Sequence, residues 1–546
     1  MSNPSYLVVS GGTGANSIAS AFGHSPAFVL PVSDDGGSSA EILRCFGGPS
    51  IGDIRSRLVR LIPLAENPST EEEKERLAIH SLMAHRFPPK GEENKARDLW
   101  MEIVEGRSFL WDGIREDKKE CIRAFLVHFQ TLCLRRAHKR FSFRNFSLGN
   151  GFLTGARDLF SSLPSAIFLF KAIAGVDQTV AVIPVINTNQ TITIAAHLKN
   201  GNTLVGQCSI SHPTSSKMVI TSCSSPSRTA TPLRDELEIP TLDPNTEAYG
   251  DSLNPTDNRN GLSEERSPFE TNIHQERKVE GERNMSLCLS TEEGVKKLVE
   301  EVVRWKFSDG KSIGQERLNG LNGLRRDSRT FDTHVPPSPI ERVTISVGGG
   351  IEAPELVITE EEGLDDNVGY MKGEKENPLE APVERVYYIN LYGQEIYPEP
   401  NPDFLSAINQ RDILVYSCGS LWTSIIPCLA LRGLGMAIAT SSSLKAKVLL
   451  LNSKNDRETP HYKASDYVKT ILTTLRTYDR PTRSPSTWEA GRLLTHLVYL
   501  VGGEVEVDRD EIEEMGVKLV CVPREIHGKD NMFTVEAVEW AMSRCL

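Results

Sequence analysis

The 546-residue chain is 39% hydrophobic and 25% charged, values that allow a sizeable core and point to no special compositional class. Its 61 basic and 73 acidic residues leave a formal charge of −12, so the whole-protein field repels nucleic acid and anionic membrane, and neither is an expected partner. Any anionic ligand must be held by local geometry.

Tyr6 to Ser10 is a β-rich run, followed by the glycine turn Gly11-Gly12-Thr13-Gly14 and by Asn16 to Phe22, which can start a helix with Asn16 as its cap. Ala27 to Ser33 is a second apolar run of strand length. Strand, turn, helix and strand make one βαβ unit, and its right-handed crossover predicts an α/β protein with a doubly wound, mostly parallel sheet. Gly52 to Leu61 reads as helix. Glu71 to Arg140 is charged, amphipathic and nearly free of strand signals, which predicts a helical insertion over about 64–145, capping the sheet edge where ligands bind in such folds. The segment Phe146 to Gly151 then interrupts the helical pattern with two glycines, and strand-like runs return at Thr179 to Ile186 and Thr191 to Leu198.

From Ser224 to Asn284 the chain is rich in Ser, Thr, Pro, Asn and Glu and cannot bury enough apolar surface to offset its chain entropy. The reading is a mostly disordered insertion over 213–382, with one helix at 291–307, dividing a core into 1–212 and 383–546. The second block has strands at Val383 to Asn390, Ile413 to Ser417, Lys447 to Leu451 and Val517 to Pro523. Helices are expected around Asp403 to Asn409, Ile425 to Leu431, Asp466 to Leu475 and Thr487 to Tyr499. The ten cysteines show no C-x-x-C pair or zinc spacing and read as reduced thiols. With neither a leader pattern nor an apolar run of about eighteen residues, the expected home is the cytoplasm, with the nucleus open.

Five segments can carry chemistry. Gly11, Gly12, Thr13 and Gly14 stand between strand and helix, where glycines let backbone approach phosphate and a helix N-terminus supplies amide donors. Asp34 and Asp35, at the end of the second strand, are adjacent carboxylates suited to a divalent cation, a ribose hydroxyl or a reacting proton, or alternatively to an Asp-Gly turn. Ser38 and Ser39 follow as helix caps whose hydroxyls can face ligand. In Gly52-Asp53-Ile54-Arg55, Ser50 or Asp53 can cap the helix and Arg55 can reach phosphate. Asn150 either donates to ligand or holds a turn. Finally Gly419, Ser420 and Thr423 lie in a second strand-turn-helix unit, so two turns on one sheet can hold the two ends of a ligand.

These motifs, in this order, together with Val32-Ser33-Asp34-Asp35-Gly36-Gly37-Ser38-Ser39, Gly149-Asn150 and Gly419-Ser420-Leu421-Trp422-Thr423, resemble the CofD/YvcK family over about 5–212 and 383–525. The resemblance points to a eukaryotic, fungal branch and implies a Rossmann-like core with ligand between the two turns. Members include 2-phospho-L-lactate transferase, which uses magnesium, and bacterial regulators of cell shape and carbon metabolism that bind nucleotide sugar. By this resemblance Asp34 and Asp35 are expected catalytic and Mg2+-holding residues. The other named residues are expected to contact a nucleotide or nucleotide sugar. A homodimer is an allowed state. One departure stands out: Ser417-Cys418-Gly419-Ser420 replaces the family's Gly-Pro-Gly-Ser, and a serine that had to adopt a left-handed backbone would alter the second cradle. Three readings follow: a Mg2+-dependent transferase of phosphorus-containing groups, a nucleotide-sugar-binding regulator without turnover, and a dehydrogenase. The last rests on a near G-x-G-x-x-G, in which Ser17 stands where the third glycine belongs.

Overall fold

The computed structural model describes residues 4–12, 14–88, 93–212, 378–390, 392–480, 484–528 and 530–546. The expected disordered stretch up to residue 377, the helix at 291–307 and Thr13 lie outside them. Eleven strands are described: β1 (Tyr6–Val9), β2 (Ala27–Leu30), β3 (Ala181–Pro184), β4 (Thr193–Leu198), β5 (Thr203–Val205), β6 (Val383–Ile389), β7 (Glu395–Ile396), β8 (Ile413–Tyr416), β9 (Ala446–Leu450), β10 (His496–Leu500) and β11 (Lys518–Val522). Seven form a central sheet in the order β11-β10-β9-β8-β1-β2-β3, with every pairing parallel. The protein is thus an α/β, Rossmann-like fold, as the strand and helix alternation predicts.

All four residues of β1 are buried, because the central strand of a parallel sheet is covered on both faces. Leu7 and Val9 enter one core cluster and Tyr6 and Val8 the other, following the two-residue period of a strand. The chain lays down β1, β2 and β3 in one direction, then returns and lays down β8 to β11 on the other side of β1. The strand order therefore reverses between β1 and β8, and the C-terminal ends of those two strands border the crevice where such sheets bind ligands.

The remaining strands form a separate antiparallel sheet, β5-β4-β6-β7. Its β4 precedes residues 213–377 and its β6 follows them, paired from Thr193 opposite Ile389 to Leu198 opposite Val383. Both halves of the chain thus contribute to both sheets.

Seven helices precede residue 175: α1 (Gly37–Phe46), α2 (Gly52–Arg60), α3 (Glu71–Ala84), α4 (Glu93–Val104), α5 (Glu116–Arg135), α6 (Leu148–Phe160) and α7 (Leu163–Ala174). Helices α3 to α5 are the expected insertion. An aromatic cluster fastens them to α6: the fully buried Trp100 stacks on Phe143 at 4.8 Å, meets Phe146 edge-on and donates its Nε1 to Gln130 at 2.6 Å.

Three local expectations are corrected. Asn16 to Phe22 is not an α-helix; only Ala19–Phe22 forms a 3-10 turn, with Ile18 rather than Asn16 at its start. Arg57 takes the Ala15 carbonyl at 3.1 Å and Arg60 the Asn16 carbonyl at 3.0 Å, so side chains of α2 use acceptors that a helix would give to its own amides. Thr487 to Tyr499 is not one helix: after a turn at Ala490–Leu493, residues His496–Leu500 become β10 because β9 and β11 offer ladders on both sides. Gly149 and Gly151 do not interrupt a helix but belong to the first turns of α6, where Gly151 lies against Phe146.

Arg57 is fully buried, stands 4.5 Å from the Phe28 ring centroid and also donates to Ser10 Oγ at 3.0 Å. Arg57→Met would leave the Ala15 carbonyl buried without a donor. Chemical denaturation should show a loss of about 1–3 kcal/mol, and unchanged stability would show that water replaces the guanidinium.

Candidate functional site at the switch point

The two glycine turns do not face each other across an open gap. A Cβ on Gly14 would meet the Gly419 Cα at 3.2 Å and the Cys418 carbonyl at 3.3 Å, and one on Gly11 would collide with the Ser424 side chain. Each turn's missing side chains are what let the other approach. At Gly14 and Gly419 the two turns are thus in backbone contact.

What opens beside them is a convergence of three helix N-termini. Helices α1, α2 and α6 begin after Gly36, Ile51 and Ser147, and no N-cap side chain closes any of the three. Asn150 of α6 donates its Nδ2 to Ser38 Oγ of α1 at 2.8 Å. Gly52 of α2 abuts Ser39 Oγ and Asp34, and Gly149 of α6 abuts the Arg55 methylenes. The caps expected from Ser38, Ser39, Ser50 and Asp53 are absent, because Ser38 and Ser39 lie inside α1, Asp53 lies inside α2, and the Ser50 hydroxyl is unpartnered. Three uncapped N-termini place partial positive charge on one spot.

Polar groups without partners surround that spot. The hydroxyls of Ser33, Ser50 and Ser147 and Oδ1 of Asn150 are buried with no hydrogen bond. Arg55, whose Nε is buried, makes no hydrogen bond or ion pair with any described residue. Burial and the neighbouring Arg86 push its pKa down to about 10. Native proteins rarely leave so many buried polar atoms unsatisfied, and such clusters call for a bound partner. Three cavities of about 600, 760 and 330 Å³ are lined by none of these side chains, so the orphaned groups, not a ready-made cavity, mark the site.

Asp34 has two other carboxylates as charge neighbours, Asp35 beside it in the chain and, from α2, Asp53, which nothing in the sequence pairs with it. Each of three aspartates fills a space that a glycine leaves open: Asp53 at Gly12, Asp34 at Gly52 and Asp35 at Gly206. Asp35 accepts from the Cys208 amide at 2.7 Å, at the start of the short helix α8 (Gln207–Ser211). Asp34 accepts from the Gly36 amide at 3.1 Å. Desolvation raises Asp34 to about 6, against hydrogen bonds from Ser39 and Gly36. Desolvation first and the Asp34 charge second raise Asp53 to about 8, with Arg57 and the Gly12 amide pulling the other way.

The second turn is built differently. Gly419, at φ +146°, is held by Asn452, whose Oδ1 accepts from the Gly419 amide at 3.0 Å and whose Nδ2 donates to its carbonyl at 2.7 Å. Ser417 and Cys418 are not in the left-handed region, so losing the Gly-Pro pair introduces no backbone strain. Thr423 and the amides beyond the turn, by contrast, are already occupied. Glu458 Oε2 accepts from the Trp422 and Thr423 amides at 3.1 Å each, and its Oε1 accepts from Thr423 Oγ1 at 2.5 Å. Thr423 therefore has an internal carboxyl group where a ligand contact was expected. Desolvation raises the buried Glu458 to about 8. Ser420 lies at the start of the five-residue π turn Leu421–Ile425 and supplies no side-chain cap. Asn452 and Glu458 escape a reading of the sequence because nothing local marks them beyond a polar loop after a strand. Arg86 escapes it because it sits in the helical insertion.

Two outcomes test this geometry. Gly52→Ala forces a Cβ onto Asp34 and Ser39, and denaturation should show a loss of about 1–3 kcal/mol; full stability would mean that both side chains move freely. Second, Asp34, Asp53 and Glu458 bind protons more tightly folded than unfolded, so their stabilisation is complete below about pH 4 and is lost as pH rises through about 6 and then about 8. The melting temperature of ligand-free protein should accordingly fall between pH 5 and 8.5. Glu458→Gln should flatten the upper part of that decline, and a melting temperature that rises across this range would contradict the assignment.

Residues 7–523 match the family model described as 2-phospho-L-lactate transferase CofD. An uncharacterized protein of Saccharomyces cerevisiae is 32% identical over 528 residues, covering 94% of each chain. Gluconeogenesis factors of Halalkalibacterium halodurans and Bacillus subtilis are 27% and 26% identical over 191 residues, which is 35% of this chain and 56% and 57% of theirs. A crystal structure of a UPF0052 family protein from Bacillus halodurans aligns over 99% of both chains with a TM-score of 0.48 and 14% identity. Among the described residues no group of three His, Cys, Asp or Glu side chains could hold a metal by itself. The match of one family model across nearly the whole chain places this protein in the CofD family.

Proposed function

We propose that this protein binds a phosphate-containing small molecule, a nucleoside diphosphate or nucleotide sugar, with its phosphates at the shared N-termini of α1, α2 and α6. The observation that carries this reading is the partnerless Arg55 guanidinium among three uncapped helix starts and four orphaned polar side-chain atoms. Phosphate oxygens supply acceptors for the Arg55 guanidinium, the three serine hydroxyls and the free helix amides, whereas Asn150 Oδ1 can only accept, from a hydroxyl or amine of the ligand.

The residues present also fit Mg2+, which commonly takes one or two carboxylates and completes its shell with water and substrate phosphate. Asp34 and Asp53 would hold it, while Asp35 is spent on α8. The ion would supply charge neutralisation at the phosphate oxygens. Around it, the helix amides and Arg55 bind and orient the phosphates, and Asp34 and Asp53 exchange their shared proton load for the cation. Binding of ligand with Mg2+ should therefore release protons between pH 6 and 8. The measurement is calorimetry in two buffers of different ionisation enthalpy, and equal heats in both would contradict the exchange.

In the transferase reading, the acceptor hydroxyl forms a new P–O bond to the bound phosphorus as the ligand's own ester or anhydride P–O bond breaks, the remainder of the ligand leaving as its oxyanion and the hydroxyl proton passing to that leaving group or to water. A second reading, a regulator that binds without turnover, is favoured by the gluconeogenesis factors among the relatives and by Glu458, which closes one of the two expected cradles. A thermal-shift panel of nucleoside diphosphates and nucleotide sugars with and without Mg2+, followed by mass spectrometry of the incubations, separates them. Stabilisation with product supports the transferase, stabilisation without product the regulator, and stabilisation by none overturns the ligand class. Asp34→Asn and Asp53→Asn should each abolish the Mg2+-dependent part of the shift, whereas Asp35→Asn should leave it in place.

A further inference from the structure

Arg55 and Arg86 face the same convergence from different parts of the fold. Arg55 rises from the first turn of α2, and its methylenes lie where a Cβ on Gly149 would meet them at 3.0 and 3.1 Å. Arg86 comes from the helical insertion, in a segment fastened to the start of α6 by the Phe87 amide on the Phe146 carbonyl at 2.9 Å and the Leu148 amide on the His85 carbonyl at 3.0 Å. Its Nη1 donates to the Asn145 carbonyl at 3.0 Å and to Asn145 Oδ1 at 3.2 Å. A Cβ on Gly37 would stand 4.0 Å from that same Nη1, so the guanidinium lies at the mouth of α1. Arg86 is exposed at the rim and Arg55 sits deeper.

In the free protein this arrangement is unfavourable. The two guanidinium groups repel each other, and Arg55 faces no carboxylate of its own. Arg57 beside it donates both terminal nitrogens, to the Ala15 carbonyl and Ser10 Oγ, and Arg86 is balanced in part by Asp34. Residues kept in an arrangement that costs stability are characteristic of binding sites.

We propose that Arg55 and Arg86 form a two-arginine clamp for a terminal oxyanion of the ligand, so that the helical insertion contributes to the binding site as well as covering it. The clamp deepens the proposed function and rests on its siting at the convergent helix starts. Arg55 grips the oxyanion with its planar fork, and Arg86 draws it in from the rim. The oxyanion satisfies the deep guanidinium and separates two like charges.

The test uses the full chain and inorganic pyrophosphate without divalent metal, read by calorimetry and thermal shift. Wild-type protein should bind pyrophosphate. Arg55→Met keeps the methylenes that pack on Gly149 and removes the charge, so it should weaken binding at least about tenfold, the scale of a lost charge-assisted hydrogen bond, while melting at or above the wild-type temperature. A merely structural Arg55 would instead lower the melting temperature and leave affinity alone, which would overturn the proposal. Arg55→Lys, with charge but no fork, should fall between the two and serves if the methionine variant misfolds. Arg86→Met should weaken binding at low ionic strength, with a deficit that shrinks as salt is added; a wild-type salt dependence would remove Arg86 from the clamp. If nucleoside diphosphates leave wild-type protein unmoved while pyrophosphate binding is lost in Arg55→Met, the ligand class falls and the clamp stands. If nucleotides bind wild type and both variants alike, the clamp falls and the ligand class stands. No pyrophosphate binding by wild-type protein would also overturn the clamp.

Discussion

The pairing of β1 with β8 is the constraint on which the rest of this molecule depends. Tyr6 to Val9 lie in register with Ile413 to Tyr416, although roughly four hundred residues separate them along the chain. The start of that ladder is locked by Asp412, which accepts from the Ser5 amide at 2.9 Å and from its hydroxyl at 2.7 Å. Closing so long a loop costs only slowly more entropy as it grows, so the apolar ladder can hold it. Once the two strands pair, the strand order must reverse at that point, and both glycine turns are delivered to the same edge. The contact of Gly14 with Gly419 follows directly from it.

At that edge, steric and electrostatic requirements are met by the same residues. Gly12, Gly52 and Gly206 each leave room for one aspartate, so the glycines serve to seat carboxylates as much as to shape turns. Asp34 and Asp53 sit among the arginines and helix starts, with Arg86 near Asp34 and Arg57 near Asp53. The region is a balance of buried opposite charges in which neither sign is fully paired. Two acids are held largely protonated near neutral pH while one guanidinium lacks any partner. This balance favours an incoming ligand that brings both oxyanion and cation over one that brings either alone. At the second turn the Glu458 carboxyl accepts the Trp422 and Thr423 amides internally.

The helical insertion and the antiparallel sheet place this edge without forming it. The aromatic cluster around Trp100 ties α4 and α5 to the segment that enters α6, and Arg86 donates to Asn145 of that segment. The β4 and β6 pair closes the chain on either side of residues 213–377, so the two halves of the core form one folded unit.

The sequence by itself determined the α/β class, the approximate bounds of most strands and the insertion of helices, while a shared site for Gly11, Gly12, Gly14, Asp34, Asp53, Arg55 and Asn150 was expected from the family resemblance. Periodicity, glycine placement and strand-turn order are local properties, and they survive folding wherever tertiary contacts agree with them. Where contacts disagreed, the local signal lost: Arg57 and Arg60 took the carbonyls of the expected first helix, and two neighbouring ladders turned His496 to Leu500 into a strand. Only the tertiary structure decided that Asp53, nineteen positions on in the chain, joins Asp35 as a charge neighbour of Asp34. It alone decided that the two turns touch, that Glu458 occupies the second one and that Arg86 reaches the start of α1. The physical reason is common to all four: side chains at a strand's end point wherever packing on the next element allows, and that element is chosen by the sheet order rather than by neighbours in the chain.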